Sequence, residues 1–179
     1  MTGEYATGSI RSTLAAAPQR TAVLAAKAAV FTGVAFAAGL AASAAAFLIG
    51  HQVFAHSGIR DGLAAPGALR SVLRGALYLA IFGLLSLGLG ALIRRTAGAL
   101  AVLIVVLILL PAAAGALPAA WRNDVSPYLP SVAGQMIIGH TKFTPPGHLL
   151  GPWAGFAVFC GYTAATLIAA AVMLRRRDA

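Results

Sequence analysis

"GALYLAIFGLLSLGLGALI", Gly75 to Ile93, is a run of 19 residues without a charge, fenced by Arg74 on one side and Arg94 on the other. A helix rises about 1.5 Å per residue, so a run of this length crosses the roughly 30 Å hydrocarbon core of a bilayer. It is the clearest of four such segments. Ala97 to Pro118 follows almost at once, with the dense core "VLIVVLILLP"; Arg94, Arg95 and Thr96 leave room only for a tight hairpin between the two. Gly155 to Leu174 is closed by Arg175, Arg176 and Arg177. Val23 to Phe47 is rich in alanine and carries Lys27 near its start, from which a long side chain can snorkel to the interface. The expected fold is an all-α membrane protein, with transmembrane helices at about 23–47, 75–93, 97–118 and 155–174 making a transmembrane domain over 22–179.

Composition agrees. Of the 179 residues 60% are hydrophobic and 9% charged, with a mean hydropathy of +0.87; a soluble domain carries about 25% charged residues. The net charge of +9 would raise nucleic acid as a partner in a soluble protein, but here the charges sit at the edges of apolar runs, which is the pattern of membrane anchoring. No nucleic acid is expected. The single cysteine, Cys160, cannot form an intrachain disulfide or supply a metal-ligand cluster.

Four spans put both ends on one side. That side holds Arg11, Arg20, Lys27, Arg94, Arg95, Arg175, Arg176 and Arg177, and the other holds Arg60, Arg70, Arg74, Arg122 and Lys142. The positive-inside rule therefore predicts a multi-pass protein of the cytoplasmic membrane with both termini cytoplasmic. "ASA" at Ala42 to Ala44 resembles a signal-peptide cleavage site, but the apolar region is longer than the 7 to 15 residues of that role, roughly speaking, and the remainder of the chain is membrane-like as well.

Ala35, Gly39 and Ser43 recur at every fourth position of the first span, and Ser86 and Gly90 repeat the spacing in the second. Such strips let backbones approach closely, which matters in lipid because no hydrophobic effect draws helices together there. No charged residue lies deep in a span, whereas proton-coupled transporters place Asp, Glu or His at mid-membrane. Any transport would take its energy from elsewhere.

The search for catalytic groups gives little. His51, His56, His140 and His148 fall in predicted outer connections, with neither HExxH spacing nor neighbouring carboxylates other than Asp61 and Asp124. There is no P-loop and no GxSxG elbow, so neither a nucleotide site nor an enzyme activity is expected of this chain. The longest outer connection, 119–150, holds Trp121 and Tyr128, which with Trp153 suit an aromatic belt. Within it "SVAGQMIIG", Ser131 to Gly139, is apolar yet too short to span, and predicts an outer interfacial or re-entrant helix bounded by Pro127, Pro130, Pro145 and Pro146.

The amino-terminal stretch is polar by contrast. "GSIRSTLAAAP", Gly8 to Pro18, places Ile10, Leu14 and Ala17 on one face of a short amphipathic helix, with Ser9 as N-cap and Pro18 helping to end it. Periodicity leaves two roles open: lying on the membrane surface, or presenting the polar face to a cytoplasmic protein.

"TGEYATGSIRSTLAAAPQR", followed by "AAKA", resembles the first cytoplasmic loop of type-2 ABC-transporter permeases, the exporter-type membrane subunits, through Glu4, Tyr5, Gly8, Ser9, Ile10, Arg11, Thr13, Leu14, Pro18 and Arg20. "LGALIRRTAGALAVL" (Leu89 to Leu103) is similar to the family's basic hairpin, and "YLPSVAGQMI" (Tyr128 to Ile137) to its outer re-entrant segment. The resemblance implies a permease subunit of an ATP-driven exporter, whose separate ATP-binding subunit docks on a coupling helix within 1–21. Glu4, Tyr5, Gly8, Ile10, Arg11, Thr13 and Leu14 would lie on or beside that contact. A second permease subunit would complete the path, and ATP would be bound by the partner rather than by this chain, which needs no cofactor of its own. Permeases of this kind carry two spans ahead of this loop; a start placed too late, a natural truncation and a permease split over two chains each account for Met1 standing where it does, the first being favoured. The alternative from another class is a non-transporting multi-pass anchor or assembly protein whose amino-terminal helix merely rests on the bilayer.

Overall fold

The computed structural model describes residues 20–55, 67–118, 123–139 and 150–176. The expected coupling helix, with Glu4, Tyr5, Gly8, Ile10, Arg11, Thr13 and Leu14, lies outside the described residues.

The described chain is all-α, without a strand among the described residues. Helix α1 runs Arg20–Ala55 and α2 Ala68–Ile93. Helix α3 spans Thr96–Gly115 and is built of Thr96–Ile104, a π-helical turn Val105–Leu109, and Leu110–Gly115. A 3₁₀ turn at Ser126–Tyr128 leads into the short α4, Pro130–Gln135, and α5 is Pro152–Arg176. Helices α1, α2, α3 and α5 are each long and apolar enough to cross a bilayer, and they fall on the four apolar runs.

The helix ends differ from the runs, each for a local reason. Nothing between Phe47 and Ala55 breaks a helix, so α1 continues to Ala55 and places His51 in a helix rather than in a connection. At 36 residues it is about 54 Å long, well beyond the hydrocarbon thickness, and must tilt or project. Helix α2 begins two turns before Gly75, which brings Arg70 and Arg74 onto it. Helix α3 stops at Gly115, short of Pro118. Helix α5 starts at Pro152, since proline's fixed φ and missing N–H suit the first helical position.

The tight hairpin between α2 and α3 closes over two residues. Arg94 takes a left-handed conformation (φ 59°) and donates its backbone N–H to the Gly90 carbonyl at 3.1 Å, and Arg95 is extended. The left-handed turn costs a non-glycine residue about 1–2 kcal/mol.

Helix α2 is the centre of the bundle, with α1 along one flank and α5 along another. The α1–α2 seam is the strip expected from the sequence. A Cβ on Gly39 would stand 3.1 Å from the Ala76 Cα, one on Gly75 would stand 2.6 Å from the Ser43 Oγ, and one on Gly83 would meet the Phe31 ring at 2.6 Å and the Ala35 Cβ at 3.6 Å. Ala35, Gly39 and Ser43 thus form one continuous contact with α2. In the second strip Gly90 is buried. Ser86 donates its hydroxyl back to the Phe82 carbonyl at 2.9 Å, and it is Gly88 that lets α2 approach Thr166 of α5.

Two small cores tie the bundle. Leu24, Ala91, Ala170 and Leu174 join α1, α2 and α5 at one end; Ala114, Leu129, Val132 and Met136 pack at the other. The outer faces are apolar: Val30 is 68% exposed, Ile108 63% and Ile168 63%. In water such a surface would associate, whereas lipid chains cover it without penalty.

Candidate functional site

The segment expected to form an outer interfacial or re-entrant helix is helical over Pro130–Gln135 and is largely buried. Ala133 and Ile137 are fully shielded, and Pro130, Ser131, Val132, Gly134 and Met136 are buried with them. Pro130 at the helix start supplies the pre-set φ, and Ala133 donates its N–H to the Leu129 carbonyl at 2.8 Å to close the first turn. Helix α4 sits against α5 and the π turn of α3. It reaches Tyr78, about one turn past Arg74 on α2, so it packs inside the end of the bundle where α2 and α5 begin.

Two glycines make that seat. A Cβ on Gly134 would meet the Tyr78 Cε2 at 2.9 Å and the Phe159 ring at 3.0 Å. A Cβ on Gly155 would stand 2.8 Å from the Ala133 carbonyl oxygen and 2.9 Å from the Met136 Cβ. Tyr78 stacks on Phe159 with ring centroids 5.7 Å apart and leans on Phe82 at 6.1 Å. At the mouth, Tyr162 donates its hydroxyl to the Tyr128 carbonyl at 3.1 Å, fixing the approach to α4 onto α5.

Between α2, α3 and α4 this arrangement leaves a cleft of about 320 Å³, walled by Phe82, Leu107, Ile108, Pro111, Ala112 and Val132, with Tyr78, Ser131 and Gln135 as its polar groups. The side chains of Tyr78 and Gln135 share a hydrogen bond. The Ser131 hydroxyl is buried and has no hydrogen-bond partner among the described residues. A buried hydroxyl without a partner costs about 1–3 kcal/mol, so the cleft presents an unused donor and acceptor to whatever enters it. An apolar wall with a few convergent polar groups is the makeup of a site for an amphiphile.

The π turn opens the cleft. Pro111 has no N–H to donate, and its ring would collide with the carbonyl four residues back; the widened turn, with Leu110 donating to the Val105 carbonyl, removes the collision. Pro111→Ala is expected to restore a regular α-helical ladder, raise thermal stability by at most about 3 kcal/mol, and rotate Leu107 and Ile108 away from the cleft. Thermal unfolding in detergent, with amide exchange across 105–111, checks both effects.

None of the residues expected at the ATPase contact is among those described, so the structure neither gathers nor separates them. Tyr78, Ser131 and Gln135 are functional candidates that the sequence reading did not single out. Two of them left a faint signal: Tyr78 is the only tyrosine in its run, and Gln135 is the only amide side chain in an apolar nonapeptide. Among the described residues no three His, Cys, Asp or Glu come together to hold a metal.

The fold defines a multi-pass α-helical membrane protein with a short buried helix, α4, packed against the spans. Comparison with protein-family models, with curated proteins and with solved structures gives no match.

Proposed function

We propose that this chain is a membrane-spanning subunit of an ATP-driven exporter, of the type-2 ABC permease kind, handling an amphiphilic cargo. The observation that carries the reading is the seating of Leu129 to Ile137, buried apart from the half-buried Gln135, against α3 and α5. This is a stretch through which the resemblance to such permeases runs, and it walls a cleft suited to an amphiphile. Two further features support it. The described spans have no Asp, Glu, His, Lys or Arg near their centres, so the energy has to come from a partner, and the amino-terminal pattern from Glu4 to Arg20 resembles a docking helix for an ATPase. In this reading ATP stays on the separate subunit, and a second permease subunit completes the path. Both termini face the cytoplasm, at the cytoplasmic membrane.

The test is co-purification of the chain with the ATP-binding subunit expressed beside it. Arg11→Glu reverses one charge at the proposed contact and is expected to lower recovered ATPase about tenfold or more, the worth of a charge-assisted hydrogen bond, with thermal unfolding of the membrane part unchanged. Undiminished recovery would sink the docking role of the helix. If wild type retains no ATPase, the anchor or assembly reading takes its place.

A further inference from the structure

At the end of the bundle where α2 and α5 begin, a groove of about 680 Å³ opens between the two helices, apart from the cleft above. Its floor is the face of α2 bearing Leu69, Arg70, Leu73, Arg74 and Leu77, and Trp153 of α5 stands beside it. Arg70 and Arg74 are one turn apart, a spacing at which like charges repel. Arg70 also occupies the first turn of α2, where the positive end of the helix dipole opposes a cation and no acidic residue offsets it. The first turn of α5 holds no acidic residue either. Asp124 is the only carboxylate among the described residues, and it does not line the groove. The Arg74 Nε is buried without a hydrogen-bond partner among the described residues.

An anion on this groove would offset all of these costs together. The surroundings identify which kind. Leu69 is 70% exposed and Trp153 62%, so the guanidinium pair borders a strip that acyl chains would cover, at the level where an indole sits in a headgroup layer. Water-borne anions gain nothing from that strip, whereas a lipid phosphate brings its own chains to it. The geometry points to a site for the phosphodiester of an anionic phospholipid, held by Arg70 and Arg74, with its glycerol region against Trp153 and a chain along Leu69, Leu73 and Leu77. Arginine's planar fork suits paired phosphate oxygens. The site is independent of the export reading and stands or falls separately from it.

The full chain in mild detergent, titrated with phosphatidylglycerol or with phosphatidylcholine and observed by native mass spectrometry, tests the assignment. Wild type is expected to hold one phosphatidylglycerol at least about tenfold more tightly than phosphatidylcholine, as charge-assisted bonds to phosphate would give. Arg70→Gln with Arg74→Gln is expected to erase that preference, and Lys at both positions to restore part of it. Because Arg70 is exposed, Arg70→Gln alone will keep the fold and is expected to weaken the preference several-fold even if the double variant fails to fold. Equal retention of the two lipids, an unchanged preference in Arg70→Gln, or displacement of the lipid by millimolar inorganic phosphate would each overturn the proposal.

Discussion

Gly155→Val is expected to unseat α4 and to be among the most destabilising single changes in the described bundle. Even a Cβ at this position would stand 2.8 Å from the Ala133 carbonyl oxygen and within 3.0 Å of two Met136 carbons. The oxygen belongs to a helix that is itself buried on several sides, so it cannot swing aside as a long side chain would. Either α5 moves outward or α4 leaves its seat. Overpacking of this kind costs about 1–3 kcal/mol and more where backbone opposes backbone, and valine adds two methyl groups to the clash. Thermal unfolding in detergent reads the loss. Intrinsic fluorescence reads its place, because Trp153 is on the same turn. Gly161→Ala is the control on the same helix: no atom lies within 4 Å of its Cβ position, and the helix propensity of alanine should raise stability by about 1 kcal/mol. Opposite signs for two glycine substitutions on α5 separate close packing from propensity; two losses of equal size would contradict the account.

Gly39→Leu is expected to lift α1 off the bundle. The span of α1 is only 6% buried, and its principal partner is α2. Because lipid is as apolar as leucine, that attachment rests on close backbone approach over Ala35, Gly39 and Ser43 rather than on hydrophobic pull. A side chain at Gly39 would enter the space of the Ala76 Cα at 3.1 Å, the Ala76 carbonyl oxygen at 3.3 Å and the Leu79 Cβ at 3.3 Å. Destabilisation of about 1–3 kcal/mol is expected, together with faster amide exchange along α1. Gly33→Leu, at a position with nothing within 4 Å, should not destabilise, its helix propensity adding up to about 1 kcal/mol, and should not speed exchange. Equal effects at the two positions would show that the strip is not the attachment.

These two expectations mark where sequence reading reached and where it stopped. The strip on α1 was legible because small residues at every fourth position align on one helix face whatever the surroundings, and that face then meets a partner. On α2 the spacing marked Ser86 and Gly90, of which Gly90 is buried, whereas Gly88, which makes the approach to Thr166, carried no such signal, because which further face of α2 turns to α5 depends on how α2 is already held by α1. His51 was assigned to a connection for a similar reason: charge marks where a run must end, not how far a helix continues past the membrane boundary.

Length and hydropathy by themselves determined that four helices cross a bilayer, since crossing depends on consecutive apolar residues and a fixed rise per residue, both local properties. The proline-bounded nonapeptide likewise announced a short buried helix. Only the tertiary structure decided that this helix seats on Gly155, that the π turn before Pro111 opens a cleft beside it, and that Tyr78, Ser131 and Gln135 converge there from two helices. It also placed Arg70 and Arg74 on one groove with Trp153, residues about eighty positions apart in sequence, as their numbers show. The physical reason is common to all of these. A span is specified by its own composition, whereas a site is specified by which faces meet, and in lipid that is settled by the close fit of small residues rather than by any pull that a hydropathy pattern records.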